Sequence, residues 1–408
     1  MAQRDDARGP LAGIRVVDMT WAWAGPHGTQ LLALLGAEVI KVESRARLDH
    51  SRLRSLMGGA VKSGPDESPI FNDLNLGKLS LTLDLRNDAS RDLLRRLVAV
   101  SDVLVQNMRP GVLERLGLSY DELTQVRPDL VMLSSSAVGS MGPERAYAGY
   151  APTFASLAGI ADLTGYPDGP PQPLSGSVDL RVGTAGAFSV VAALYRRRQT
   201  GEGQHIDLSS TEVMSSMMGE AFMEHSMTGR VPGRSGNRHD VMAPHGCYAC
   251  AGEDQWVSIA VGSDEEWTAL KAALADPGLE GEAYAGPAER WRNQEALDPV
   301  IERWTREREV GDVVDHLQSA GVPAMRVHVE DSIASDPHVR ARGYLQPVEH
   351  PTLGRRIVGG APWRFSVDDV GVHRPAPLLG QHNDYVLGQI LGLSSEDIEQ
   401  LAADGVVR

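Results

Sequence analysis

The sequence predicts an α/β chain with a doubly wound, Rossmann-like large domain and a smaller α+β domain. The first observation behind this is an alternation of short apolar runs with amphipathic helical stretches through the N-terminal portion. That is how a parallel sheet covered by helices reads in sequence. The second is a break near residue 228, where the chain turns polar and glycine-rich in GRVPGRSGNRHD. The third is length, since 408 residues exceed one simple core at roughly 100–200 residues per domain. The boundaries drawn are 1–228 for the large domain, 229–330 for the small domain, and 331–408 for a C-terminal part that opens irregularly.

The elements follow in order. GIRVVDM (13–19) reads as a buried strand. A turn of small residues, Ala24-Gly25-Pro26-His27-Gly28, leads into a helix over TQLLALLG that Gly36 closes. AEVIKVE (37–43) completes a βαβ unit. SLTLDL (80–85), DVLVQN (102–107) and LVMLSSS (130–136) continue the strands, with a one-faced helix at 90–101. A long helix over 182–198 ends in arginines, which suit a helix C-terminus, and HIDLSS opens another strand. Beyond the break, CYACAGEDQWVSIAV reads as a hairpin turning at Gly252-Glu253-Asp254. Helices are expected at 264–274, 309–320, 383–391 and 395–403.

A formal net charge of −15 disfavours a sequence-independent nucleic-acid binder, which needs a basic footprint. An acidic chain that binds an anion must gather its cations locally, so individual Lys and Arg positions carry the argument. Met1–Leu11 bears charges of both signs and lacks the apolar core of a secretory signal. No run of about 18 or more apolar residues is visible, so no membrane span and no membrane partner are expected. The two cysteines, Cys247 and Cys250, suit a reducing compartment, and the expected location is the cytoplasm.

Four constellations invite chemistry. The turn at 24–28 sits where α/β folds bind phosphates, and Glu43 ends the second strand where a ribose-binding acid would stand. Only Gly25 and Gly28 of a G-x-G-x-x-G are present, so a tight turn of small residues is the better reading and NAD is not expected. Cys247-Tyr-Ala-Cys250 has no second pair, and strand residues three apart face opposite sides, which argues against a zinc or redox site. Asp179 follows a glycine-rich turn before the long helix; read alone it is an N-cap or first-turn acid, and alternatively a nucleophile at a positive helix end. Lys78, Asn107, Arg109 and Arg115 lie beside strand ends, where they could hold phosphates or simply meet solvent.

Taken together the segments resemble the class III CoA-transferase family, which includes formyl-CoA transferase, carnitine CoA-transferase and α-methylacyl-CoA racemase. The matching stretches are PLAGIRVVDMT, AGPHGTQLLALLGAEVIKVE, NLGKLSLTLDL, SDVLVQNMRPGVLERLGLSYDEL, TGYPDGPP, the Asp179 turn, RRRQTGEGQHIDLS and RPAPLLGQHNDYVLGQILGLS, in family order. The resemblance implies an interlocked, ring-like homodimer in which the C-terminal segment returns to the large domain. It implies that Asp179 attacks an acyl-CoA and carries CoA as a thioester, with no metal and no NAD. Lys78, Asn107, Met108, Arg109 and Arg115 match CoA-contacting positions, and Ala24 matches the CoA-lining turn. Formyl-CoA transferase has Gln where this chain has Trp23, which turns expectation away from oxalate or formate. Racemases have a His-Asp pair where this chain has Tyr150-Ala151, so a proton relay would lack a base. Intramolecular transfer or racemisation on an acyl-CoA stays as the alternative activity. Trp21 and Trp23, two apart, would share a face of an extended segment and line an acyl pocket for a bulky acid, or pack in the core. Tyr150 and His245 complete the expected substrate-binding set.

Overall fold

A computed structural model describes residues 9–53, 64–174 and 176–407. Residues 1–8 of the charged start and Ser175 before the Asp179 turn lie outside the described residues. The chain divides into two compact units. The first combines residues up to Ala161 with Pro173–Arg230 and Val339–Arg408. The second combines Asp162–Gln172 with Val231–His338. The stretch 162–172, drawn above with the large domain, therefore belongs to the second unit.

The first unit is built on a parallel sheet of six strands in the order β3-β2-β1-β4-β5-β6. These are β1 (Arg15–Met19), β2 (Glu38–Glu43), β3 (Leu79–Thr82), β4 (Val103–Gln106), β5 (Val131–Ser136) and β6 (Gln204–Ser209). Alternation along the strands splits the core in two. Val17, Met19, Ile40 and Leu104 face Leu93, Leu94, Leu97 and Val98 of one helix, α2 (Asp88–Ala99). Val16, Val39, Val105 and Leu133 face the opposite layer, made by α1 (Ala24–Leu34) and α3 (Ser177–Thr200). Helices on both faces make the sheet doubly wound, as the alternating pattern predicts.

Three boundaries differ from expectation. The small-residue turn at 24–28 is already helix, because a proline in the first turn has no N–H that needs an acceptor. The long helix begins at Ser177 rather than 182, which puts Asp179 inside its first turn. Tyr385–Ile390 winds as a π-helix. Gly201, at φ 76°, closes α3 and donates its N–H to the Arg197 carbonyl at 2.8 Å. By length and composition α3 could cross a membrane, contrary to the expectation from sequence. Its small residues pack on α1 and the sheet, as a core helix does.

The C-terminal segment covers the edge strand β3. His382 exchanges bonds with Ser80, accepting the Ser80 N–H on Nδ1 at 3.1 Å and giving its own N–H to the Ser80 carbonyl at 3.0 Å. Asn383 uses its amide as a strand would, accepting from Thr82 N–H at 2.9 Å and donating to Thr82 Oγ1 at 2.8 Å. An open edge is thereby satisfied by the His382 and Asn383 side chains and the His382 backbone N–H of the GQHND stretch. In the second unit β7 (His245–Ala249), β8 (Trp256–Ala260) and β9 (Ala324–Arg326) form an antiparallel sheet. It packs on helices Asp264–Leu274, Gln294–Arg306 and Val310–Ser319. Gly252 and Asp254 take positive φ in the β7–β8 turn, which is why a glycine stands there.

Candidate active site

The site begins with two helices that cross without side chains between them. A β-carbon on Gly183 would sit 2.4 Å from the Ala24 carbonyl, and one on Gly28 would sit 2.7 Å from the Gly183 carbonyl. Gly25 is equally tight, at 2.4 Å from the Thr20 β-carbon. Packing thus explains the glycines that a dinucleotide fingerprint would otherwise claim. The crossing brings the start of α1 beside the start of α3. A β-carbon on Gly176 would lie 3.4 Å from Trp23 Cζ3, so the Trp23 ring covers the turn that launches α3.

Asp179 stands in that first turn, half-buried, with no ion pair or hydrogen bond to its carboxylate among the described residues. Burial raises its pKa from the ordinary carboxylate value to about 6. Beside the crossing, His27 is pushed down to about 4 by burial and secondarily by Lys78, so its ring is neutral at ordinary pH. Its Nε2 lies 3.5 Å from Thr184 Oγ1, on the turn of α3 after Asp179. Helix Ala151–Ala158 packs its alanines against Val178 and Val182 of the same α3 start. Tyr150 caps that helix and is exposed.

The cations separate into two groups. Lys78 is fully buried, and its ammonium reaches Asp18 Oδ2 at 2.9 Å, Pro26 O at 2.9 Å, Thr29 Oγ1 at 2.8 Å and Asn75 Oδ1 at 2.8 Å. Burial lowers its pKa to about 8, with Asp18 opposing that shift. The resemblance implies that Lys78 touches CoA; the structure instead makes it an internal cation with its donors spent on protein acceptors. Asn107 is likewise committed, accepting from Trp21 N–H at 2.8 Å and donating to Trp21 O at 2.8 Å. Met108 packs its side chain against the α2-side core. Arg109 and Arg115 are exposed on the segment after β4 and make no ion pair among the described residues.

Two further guanidinium groups, Arg45 and Arg47, are also exposed without an ion pair among the described residues. They follow β2, and β2 and β4 flank β1, so these arginines and the β4 pair come from the strands on either side of β1. The sequence reading missed both. The available signal was position: cations just past the carboxyl ends of strands adjoining β1.

Trp21 and Trp23 do not share a face. Ala22 takes φ 67°, which turns the chain and breaks the extended geometry that the expectation needed. Trp21 instead lies under the Arg47 guanidinium, 4.3 Å away, with His50 edge-on at 5.9 Å. His245 belongs to the second unit, where its Nδ1 lies 2.6 Å from the Asn237 carbonyl and its ring neighbours His239 at 5.3 Å. Cys250 is buried and Cys247 exposed, both as free thiols.

Comparison with known proteins now bears on this geometry. Residues 11–383 match the model of CoA-transferase family III. The chain belongs to that family. It is 34% identical over 400 residues to a succinyl-CoA–D-citramalate CoA-transferase of Chloroflexus aurantiacus, covering 98% of each chain. It is 34% identical to an acetyl-CoA:oxalate CoA-transferase of Acetobacter aceti, over 92% of this chain and 94% of the relative. Among solved structures, a CAIB/BAIF family protein from Brucella suis superposes with TM-score 0.85 at 32% identity, over 94% of this chain and all of that one. This class III CoA-transferase is therefore an enzyme that moves CoA between an acyl-CoA and a carboxylate. CoA thioesters are its substrates. No cluster of three or more metal-binding side chains occurs among the described residues.

Proposed function

We propose that this transferase works through a covalent intermediate on Asp179. The observation that carries the reading is a half-buried carboxylate, in the first turn of a long helix, with no ion pair among the described residues. An acid with a pKa near 6 is ionised at neutral pH yet poorly solvated, which suits a nucleophile. Its Oδ attacks the donor thioester carbonyl, the C–S bond breaks, and CoA leaves as thiolate. The thiolate then attacks the aspartyl carbonyl of the mixed anhydride and expels the donor carboxylate. The aspartyl-CoA thioester so formed undergoes the same two steps in reverse with the acceptor acid. The N–H groups of Ala24 and Gly25 open α1 without intrahelical acceptors and stabilise the tetrahedral oxyanions. Arg45, Arg47, Arg109 and Arg115 hold the phosphates of CoA.

The relative named for succinyl-CoA supports that thioester as donor. Trp23, against the Gly176 turn, bounds the acyl pocket and favours a bulky acceptor. The working form is a homodimer. The outward stripe of α3, with Leu180, Phe188 and Tyr195, is exposed, and helix Gly219–Thr228 buries none of its side chains. Such apolar surface calls for a second copy. The two free thiols support a cytoplasmic location.

Intact-protein mass spectrometry after incubation with a panel of acyl-CoAs and hydroxylamine tests the chemistry. An adduct on Asp179 is expected with the true donor and none with Asp179→Ala. Full turnover by Asp179→Ala would sink the covalent mechanism.

A further inference from the structure

Five consecutive backbone polar groups of the β1–α1 turn are each held by a side chain. Thr20 N–H donates to Asp18 Oδ1 at 2.9 Å, and the Thr20 carbonyl accepts from Lys41 Nζ at 2.8 Å. Both Trp21 groups pair with the Asn107 amide, each at 2.8 Å. Ala22 N–H donates to Asp49 Oδ1 at 3.0 Å. Loops ordinarily satisfy such groups with water, which leaves them mobile. Here the holders come from three directions: Asp18 from β1, Lys41 and Asp49 from β2 and the segment after it, and Asn107 from the end of β4.

The held segment contains an unfavourable conformation. Ala22 has a β-carbon and nonetheless takes φ 67°, a left-handed geometry that glycine would adopt freely. Strain of this kind persists only where surrounding contacts over-determine it, and it concentrates at functional sites. The residues it aims are Trp23 and Ala24, which start α1 and reach the turn of Asp179. The holders are themselves fixed. Asp49 takes the Lys41 ammonium on Oδ2 at 2.9 Å and accepts from Ser51 N–H and Oγ at 2.9 and 2.8 Å on Oδ1. Lys41 and Asp49 are both fully buried.

We propose that Asn107 and Asp49 are positioning residues that force Ala22 into its left-handed turn and thereby aim Trp23 and the first N–H groups of α1 at the reacting carbonyl. This rests on the reading of Asp179 as the nucleophile. It also gives Asn107 a task different from touching CoA. If Asn107 held CoA, its removal would raise KM for the acyl-CoA. Removal of a positioning residue lowers kcat instead, because small displacements of a reacting assembly cost up to about a hundredfold in rate.

The test uses the full chain with Asn107→Ala and Asn107→Asp, the latter keeping an acceptor for Trp21 N–H and lacking the donor to its carbonyl. Hydrogen exchange of a peptide spanning residues 20–24 is read beside steady-state kinetics. The expected result for Asn107→Ala is faster exchange at 20–24, kcat down about ten- to a hundredfold and KM within about threefold. Asn107→Asp should fall between it and the wild type in both readouts. A kcat within about twofold of wild type in Asn107→Ala, or a raised KM with kcat kept, overturns the proposal. Unchanged exchange at 20–24 overturns it too. Should Asn107→Ala not fold, Asn107→Asp alone carries the test: faster exchange at 20–24 with lowered kcat and KM within about threefold is expected, and unchanged exchange, or a raised KM with kcat kept, overturns the proposal. Wild-type protein that forms no CoA adduct with any thioester defeats the Asp179 reading instead, and the exchange readout still decides whether the clamp exists.

Discussion

Lys78 and Arg115 stand beside the ends of strands in one sheet and carry the same charge, yet the fold uses them in opposite ways. Lys78 is sealed under α1 with Asp18 and three neutral oxygens. Arg115 lies in solvent without an ion pair among the described residues, its guanidinium 3.2 Å from where a β-carbon on Gly111 would be. The buried cation ties down the start of α1 through Pro26 and Thr29, whereas the exposed one lies where an anion could meet it. A cation's place in the chain does not reveal which it is; the acceptors gathered around it do.

The largest effect that would sharpen this contrast is the loss of Lys78. Lys78→Ala leaves Asp18 charged and buried without its partner, and about 3–5 kcal/mol of folding stability should go. Urea unfolding measures it, and a stable variant with only a weaker grip on acyl-CoA would break the comparison. Gly183→Ala comes next. The new methyl group collides with the Ala24 carbonyl at 2.4 Å, and forcing the helices apart should cost about 1–3 kcal/mol. Activity should fall with it, since the same crossing sets Trp23 against the start of α3. Arg115→Ala should move stability by no more than about 0.5 kcal/mol, as an exposed substitution does. Its KM for acyl-CoA should rise about tenfold, in the range of one charged hydrogen bond, and the gap from wild type should shrink with added salt.

A further effect, graded by pH, concerns Asp179. Asp179 titrates near 6 in the folded chain against an ordinary 3.8, because burial disfavours its charged form. Between those values the folded chain holds the extra proton, so this group's contribution to stability declines as pH rises from about 4 to about 6 and stays low above. Asp179→Asn is free of that decline. Its melting temperature should exceed the wild-type value at about pH 8 and approach it at about pH 4, while turnover of the wild type should rise through about pH 6. Equal pH profiles for the two melting curves would show that Asp179 is better solvated than its surroundings imply.

Much of the frame was legible beforehand. Strands 15–19, 38–43, 103–106 and 131–136 fell where apolar runs placed them, since buried parallel strands need continuous apolar residues. The start of α1 reads as a turn in sequence, because Gly25, Pro26 and Gly28 signal turns locally while the close α1–α3 crossing demands them within a helix. Asp179 stood out as an alternative to a plain first-turn acid. What sequence could not supply was its lack of an ion pair among the described residues, which depends on the side chains around it. Arg47 and Asp49 went unnoticed because nothing in their spacing distinguishes them. Only when β2 lies beside β1 do they meet Trp21 and Ala22.

By itself the sequence determined the alternating α/β frame, the break near residue 228 and the order of motifs that place the chain among class III CoA-transferases. Those depend on local pattern, which is carried residue by residue. The tertiary structure alone decided which cations are sealed and which are exposed, that Trp21 and Trp23 part company at Ala22, and that residues 162–172 join the second unit. Burial, charge pairing and backbone strain are sums over neighbours distant in the chain, so they exist only once the strands have been set side by side.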